Sequence, residues 1–331
     1  MRRLGLGRSM LGGAAVVALL SGCGVLPLNL SKGQDDMPPV APSSNVASLQ
    51  SGALAPQATS SDLLYVANKR ASDGVSVLTF PQGTLVATIK HIGRVQGICS
   101  DTSGNVWMTT FVKGSDPLHL YKFRHGGTKP VEARIIHRSA HGCAVDPTTG
   151  NLALISYGGS SDGEVQIWRG ARKGKPAVYF IGFGPAACAY DDNGDLFVDG
   201  IGGTGVALAE LVKGGKNFTG VTLGKNAGWI VGGAQWDGTY VTLGVTTISG
   251  SPSIYRIQVS GERGKIVDMV HLQHLARYPH FVIANGEIVA TQRGPIVRRI
   301  GLYEYPAGGK TLNVFSGFDD PVGMTVSVEP K

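Results

Sequence analysis

The sequence predicts an all-β protein, a six-bladed β-propeller of four-stranded blades whose first blade is closed by the C-terminal strand. Three observations predict it. The chain carries 49 glycines in 331 residues, about twice the usual frequency, and only 16% charged residues. Glycine at that density breaks helices, and so low a charge excludes a solvated, disordered chain. From Asp62 onward a strand–turn–strand unit then recurs at a spacing of about 45 residues, the length of one propeller blade. Finally, the chain ends on an apolar strand that has no partner inside its own unit.

The first element is an address. Arg2, Arg3 and Arg8 precede an apolar run, Met10 to Leu20, too short to span a bilayer but suited to a secretory signal. The run leads into Leu20-Ser21-Gly22-Cys23, which resembles a bacterial lipobox. The remainder of a twin-arginine motif is missing. The resemblance implies a signal peptide over 1–22, an acylated Cys23 at the mature N-terminus, and membrane lipid as partner. It places the protein in the bacterial cell envelope, on the outer membrane if the cell has two, because Gly rather than Asp follows Cys23. Residues 23–61 hold five prolines among many Ser, Ala and Gln without periodicity, and read as a flexible tether. Loss of the three leader arginines lowers the formal charge from +7 to +4, with no clustered basic stripe expected, so nucleic acid is not an expected partner.

The propeller occupies 62–331. QGICSDTSGNVWMTT (96–110), HGCAVDPTTGNLALIS (141–156) and AACAYDDNGDLFVDG (186–200) each read strand, Asp, Gly-containing turn, strand. Asp101, Asp146 and Asp191 are followed at like spacing by Asp237 and Asn285. A second landmark ends third strands: LYKF (120–123), VQIW (165–168), LAEL (208–211), IYRI (254–257) and LYEY (302–305), with VSVLTFPQGTLVATI (75–89) as the sixth copy. Blade one begins at LLYVAN (63–68) without an inner strand, and PVGMTVSVE (321–329) supplies it, leaving no open edge.

Strings such as GNVWMTT, GCAVDPTTGNL and GDLFVDG resemble NHL-repeat, gluconolactonase-like and streptogramin-lyase-like propellers, and in particular bacterial lipoproteins of that group. The lactonase-like resemblance implies a divalent cation on the axis held by carboxylates and amides, including a Glu of the first blade. Residues 62–91 contain no Glu. The lyase-like resemblance implies a Trp-Phe-Thr-Glu string, against which Trp107-Met108-Thr109-Thr110 lacks the carboxylate, and neither Glu287 nor Glu304 has a histidine at the matching distance. Neither activity carries over, and no catalytic residues are assigned.

The recurring aspartates read as turn caps, since Asp at a tight turn accepts nearby backbone N–H groups. Cys143 and Cys188 hold equivalent positions, three residues before the blade Asp; Cys99, two before, faces the other side. Buried thiols are the first reading of all three, and a Cys143–Cys188 bridge is the alternative. Six histidines (His91, His137, His141, His271, His274, His280) fall in segments joining one blade to the next, which emerge on one face around the channel mouth, with Arg94, Arg138 and Arg277 among them. The expected ligand-binding set is His91, Arg94, His137, Arg138, His141 and His280. Imidazoles and guanidiniums around one opening suit an anion, a carboxylated glycan or an envelope protein; a divalent cation is possible and no cofactor is firmly assigned. The function expected is a membrane-tethered, non-catalytic binding or scaffold module, with a metal-dependent hydrolase or lyase as the alternative.

Overall fold

The computed structural model describes residues 62–70, 74–111, 118–136, 140–156, 163–203, 205–224, 228, 230–246, 251–294 and 298–330. The signal peptide, Cys23 and the tether lie outside the described residues.

Six four-stranded antiparallel sheets follow one another around an axis. The first blade contributes β1 (Leu63–Asn68), β2 (Val75–Thr79) and β3 (Leu85–Ile89). The second is β4 (Arg94–Ser100), β5 (Val106–Phe111), β6 (Leu118–Phe123) and β7 (Pro130–Ile136). The third is β8 (Gly142–Val145), β9 (Leu152–Ser156), β10 (Gly163–Trp168) and β11 (Ala177–Ile181). The fourth is β12 (Gly184–Tyr190), β13 (Leu196–Gly202), β14 (Gly205–Leu211) and the short β15 (Thr219–Gly220). The fifth is β16 (Ile230–Trp236), β17 (Val241–Thr246), β18 (Pro252–Ser260) and β19 (Arg263–Val270). The sixth is β20 (Phe281–Ala284), β21 (Glu287–Thr291), β22 (Arg299–Glu304) and β23 (Asn313–Ser316). β24 (Pro321–Ser327) then pairs with β1, Leu63 opposite Ser327 and Tyr65 opposite Thr325, completing the first blade as its inner strand. The innermost strands touch in a ring, β4, β8, β12, β16, β20, β24 and back to β4.

Each blade is sandwiched between two others, so both faces of its inner three strands are covered. Along β1, Leu63, Tyr65 and Ala67 pack toward the second blade with Val106 and Met108, while Leu64 and Val66 pack toward the sixth with Val289 and Ile300. Six such apolar clusters fill the six interfaces between blades. The outer strands are the more exposed, β11 alternating between half-buried and exposed positions before its buried last residue. Each fully buried aliphatic side chain contributes roughly 1.5–3 kcal/mol, and each interface collects several.

The blade aspartates cap their turns. Asp101 accepts the N–H groups of Ser103 (3.0 Å) and Asn105 (2.9 Å), and Asp191 those of Asn193 (2.9 Å) and Asp195 (2.8 Å). Asp237 also binds Arg256 Nε (2.7 Å) and accepts from the Tyr305 hydroxyl (2.6 Å), tying the fifth blade to the sixth.

The cysteines correct the expectation. Cys99 and Cys143 are joined in a disulfide with a Cα–Cα distance of 5.7 Å, and Cys188 is the buried free thiol. Strand parity explains the pairing. Equivalent positions on successive blades point in the same rotational sense: Cys143 faces the second blade and Cys188 the third, so the two never meet. Cys99, displaced by one residue relative to its blade Asp, faces forward into the second–third interface and meets Cys143 there. The bridge closes a loop with a sequence separation of 44, which in the chain-entropy account stabilises by about 4 kcal/mol.

In unfolded, unreduced protein we expect iodoacetamide to modify Cys188 and to leave Cys99 and Cys143 untouched until a reductant is added. Peptide mapping checks this, and alkylation of Cys99 without reductant would refute the pairing.

Candidate functional site

The inner strands converge so closely that side chains are excluded from much of the axis. A Cβ added at Gly97 would lie 2.8 Å from the Gly142 Cα of the next blade, and one at Gly232 would lie 2.7 Å from the Pro279 carbonyl oxygen. Where this glycine wall opens, it leaves a pocket of about 280 Å³ lined by residues of all six inner strands and by the segment just before β20. Its polar side chains are Gln96, His141, Gln235, Tyr278 and His280.

Backbone irregularity places several of them. β4 slips register between Val95 and Gly97, β12 between Pro185 and Ala187, and β16 between Val231 and Ala234. Such bulges turn the extra residue out of the ladder and re-aim its side chain. Gln96, Ala186 and the Gly232–Gly233 pair are those extra residues, and all line the pocket. His141 sits one residue before β8, its N–H donating to the Ile155 carbonyl (2.9 Å). His280 sits one residue before β20, its N–H donating to Thr291 Oγ1 (3.1 Å). The third and sixth blades are diametrically opposed in a six-blade ring, as are the second and fifth. His141 and His280, each one residue before its inner strand, therefore lie on opposite sides of the axis; Gln96 and Gln235 come from opposed blades too, with Gln235 about three residues deeper along its strand.

Of the expected binding set, the structure brings His141 and His280 into the pocket. Arg94 adjoins it: with its amide oxygen turned toward Arg94, Gln96 accepts from Nε (2.8 Å) and Nη2 (3.0 Å). His91 is exposed, has a left-handed φ of 63°, and does not line the pocket. His137 and Arg138 lie outside the described residues. The other two loop histidines serve local structure: His271 Nδ1 contacts Ser253 Oγ (3.3 Å), and the His274 carbonyl accepts from Arg293 N–H (2.7 Å).

Burial, and secondarily the Arg94 guanidinium, hold the His141 imidazole below its ordinary pKa. Burial likewise lowers His280, with Asp320 partly opposing it. Both rings are neutral at pH 7, so each offers one donor and one acceptor rather than a charge. Tyr278, 60% exposed, stands over the same pocket, with the Arg277 guanidinium 6.0 Å from its ring centre.

One strand back from the axis lies Asp199, within the GDLFVDG strand, to which the sequence pattern assigns no role. It is fully buried; its Oδ1 accepts the Ala187 N–H (2.6 Å) at the β12 bulge, and its Oδ2 meets no donor among the described residues. Burial raises its pKa to about 7. Its signal in the sequence was an acidic residue inside an otherwise apolar second strand, as was a Gln beside Gly for Gln96. Among the described residues no three His, Cys, Asp or Glu side chains converge as a metal-binding group, and the pocket lining offers imidazoles and amides without a carboxylate. The carboxylate and amide set implied by the lactonase-like resemblance is not matched by these residues. No helix among the described residues is long and apolar enough to cross a membrane.

No protein-family model matches the sequence, and no curated protein does. Solved structures are similar over the propeller. A protein of unknown function from Bacteroides caccae superimposes with a TM-score of 0.56 at 10% identity, covering 81% of this chain and 99% of that one. A functionally unknown protein from Desulfotomaculum acetoxidans gives 0.51 at 12% identity, covering 81% and 99%. A protein from Lactobacillus plantarum gives 0.50 at 10% identity, covering 80% and 98%. At these identities the likeness shows a common fold.

Asp199 sets a pH dependence of stability. Its folded pKa of about 7 lies above the unfolded value near 3.9, so the native state holds an extra proton between those limits. Stability therefore falls as pH rises through that window. Asp199→Asn keeps the oxygen that accepts from Ala187 and removes the charge. We expect it to raise the melting temperature at pH 8 by about 4 °C or more and to have little effect at pH 4. Equal shifts at both pH values would show that charge is not the cause.

Proposed function

We propose that this protein is a non-catalytic binding module of the bacterial envelope, carried on an acylated Cys23, and that its ligand is a small hydroxylated carboxylate held in the axial pocket. The observation that carries the reading is the convergence of His141 and His280, from opposed blades, with Gln96 and Gln235 on one glycine-walled opening beside Arg94. Neutral imidazoles and amides both donate and accept, which suits hydroxyl groups. Arg94, tied to the lining residue Gln96, is a charged donor beside the pocket and suits a carboxylate, which a guanidinium can hold through two parallel hydrogen bonds. Tyr278 offers a flat apolar face for a ring. A volume near 280 Å³ limits the ligand to about one sugar-sized ring.

The test is calorimetric titration with glucuronate and galacturonate, using glucose and galactose as uncharged controls. The acids should bind more tightly than the sugars, and the His141→Ala/His280→Ala variant should lose about tenfold or more in affinity, some 1.4 kcal/mol. Because burial, and secondarily Arg94, hold His141 below its usual pKa, the second positive charge arrives only below the ordinary imidazole range. Affinity for the acids should therefore be flat near pH 7 and rise toward pH 5. Acids binding no better than sugars, or a double variant equal to the wild type, would overturn the reading.

The anchor is tested separately by radiolabelled palmitate. The wild type should incorporate label in bacterial cells and Cys23→Ala should not; label retained by the variant would refute acylation at Cys23.

A further inference from the structure

The face opposite the axial pocket carries an unexplained charge distribution. In each blade the hairpin between the third and outer strands emerges at the same end as the aspartate turns, away from the pocket mouth. In the second blade this hairpin is RHGGTK (124–129), in the third RGARKGK (169–175), and in the fourth VKGGKN (212–217). Together they present Arg124, Lys129, Arg169, Arg172, Lys173, Lys175, Lys213 and Lys216, all exposed, on three consecutive blades. None of the three contains an acidic residue, and no Asp or Glu occurs between Val165 and Tyr190.

The hairpins are held in place. Arg134 of the second blade donates through Nη1 to the Arg172 carbonyl (3.0 Å) and through Nη2 to the Ala171 carbonyl. The Gly170 N–H donates to Asn151 Oδ1 (2.9 Å), and the Lys213 N–H to Asp195 Oδ1 (2.7 Å). Lys213 Nζ reaches Thr148 Oγ1 in the aspartate turn of the third blade (2.8 Å), tying the fourth-blade hairpin to its neighbour. Of the nearby carboxylates, Asp146 and Asp191 are engaged by their own turns, Asp192 by Trp236 Nε1 (2.9 Å) and Glu132 by Arg134 (2.9 Å), while Glu210 is half-buried beside Asp191 and Asp195. Beside the cations stand exposed aliphatic side chains, Val131 (52%), Val178 (41%) and Val212 (53%), one at each hairpin.

We propose that this rim, formed by the third-to-outer hairpins of the second, third and fourth blades, is a docking surface for an anionic phospholipid bilayer. Cations spread over three blade tips match a sheet of headgroup charge, and the aliphatic residues among them enter the interfacial layer. A single-stranded nucleic acid is less well matched, because stacking bases need exposed aromatic rings and the apolar side chains beside these cations are valines. Docked in this way, the axial pocket faces away from the bilayer. The surface is independent of acylation at Cys23.

The test is lysine footprinting with an acetylating reagent on the full chain, reconstituted on phosphatidylcholine vesicles with or without 30% phosphatidylglycerol. Lys129, Lys173, Lys175, Lys213 and Lys216 should be protected about fivefold or more on the anionic vesicles, and the protection should vanish in 0.5 M NaCl. Lys90, in the β3–β4 connection on the pocket side, should react equally throughout. Lys173→Glu/Lys175→Glu/Lys213→Glu/Lys216→Glu should lose the protection at Lys129 while keeping its melting temperature. Equal protection on neutral vesicles, no protection at all, or protection retained in that variant would overturn the proposal. So would the same lysines being protected equally by a single-stranded oligonucleotide in the absence of lipid.

Discussion

Every strand near the axis must bury two faces at once, and the rest of the molecule depends on that constraint. A strand directs successive side chains to opposite faces, so in a ring of blades odd and even residues serve different neighbours. β1 shows the rule directly, with Leu63, Tyr65 and Ala67 committed to one interface and Leu64 and Val66 to the other. A shift of one residue moves a side chain to a different interface. That is why Cys99 meets Cys143 while Cys188, in register with Cys143, stays alone on the far side of the third blade.

The same crowding creates the pocket. Inner strands packed against one another at the axis leave no space for Cβ atoms at positions such as Gly97, and the regular ladder cannot continue unbroken there. Bulges in β4, β12 and β16 relieve the ladder and, in doing so, turn Gln96, Ala186 and two glycines toward the axis. The N–H at Ala187, beside the β12 bulge, is taken up by the buried carboxyl of Asp199. A structural need thus leaves an acid with one oxygen unpaired among the described residues behind the pocket wall, at a cost in stability that grows as pH rises toward 7.

The two ends of the propeller are chemically different. One end gathers neutral imidazoles, amides and an exposed tyrosine around an opening beside Arg94. The other presents cations at the hairpin tips of three adjacent blades, the third-blade hairpin held by Arg134 and Asn151, the fourth by Asp195 and the second by the Tyr65 hydroxyl. The proposed docking at one end and the proposed ligand binding at the other each draw on this division of charge.

The sequence by itself determined the architecture. Six recurrences of strand, aspartate, glycine turn and strand are local facts, and a C-terminal inner strand without a partner has only one place to go. It also marked the histidine-bearing connections from which His141 and His280 come. It did not determine which of them share a site. That depends on which blades face each other across the axis, and here the third opposes the sixth while His91, His271 and His274 turn outward or into local contacts. Gln96, Gln235 and Tyr278 looked like ordinary residues beside glycine or in a loop, because their role comes from bulges and convergence that no local pattern encodes. The Cys99–Cys143 bridge was written in the one-residue offset of Cys99. Its partner could be chosen only once the packing of neighbouring blades had assigned each strand face to an interface.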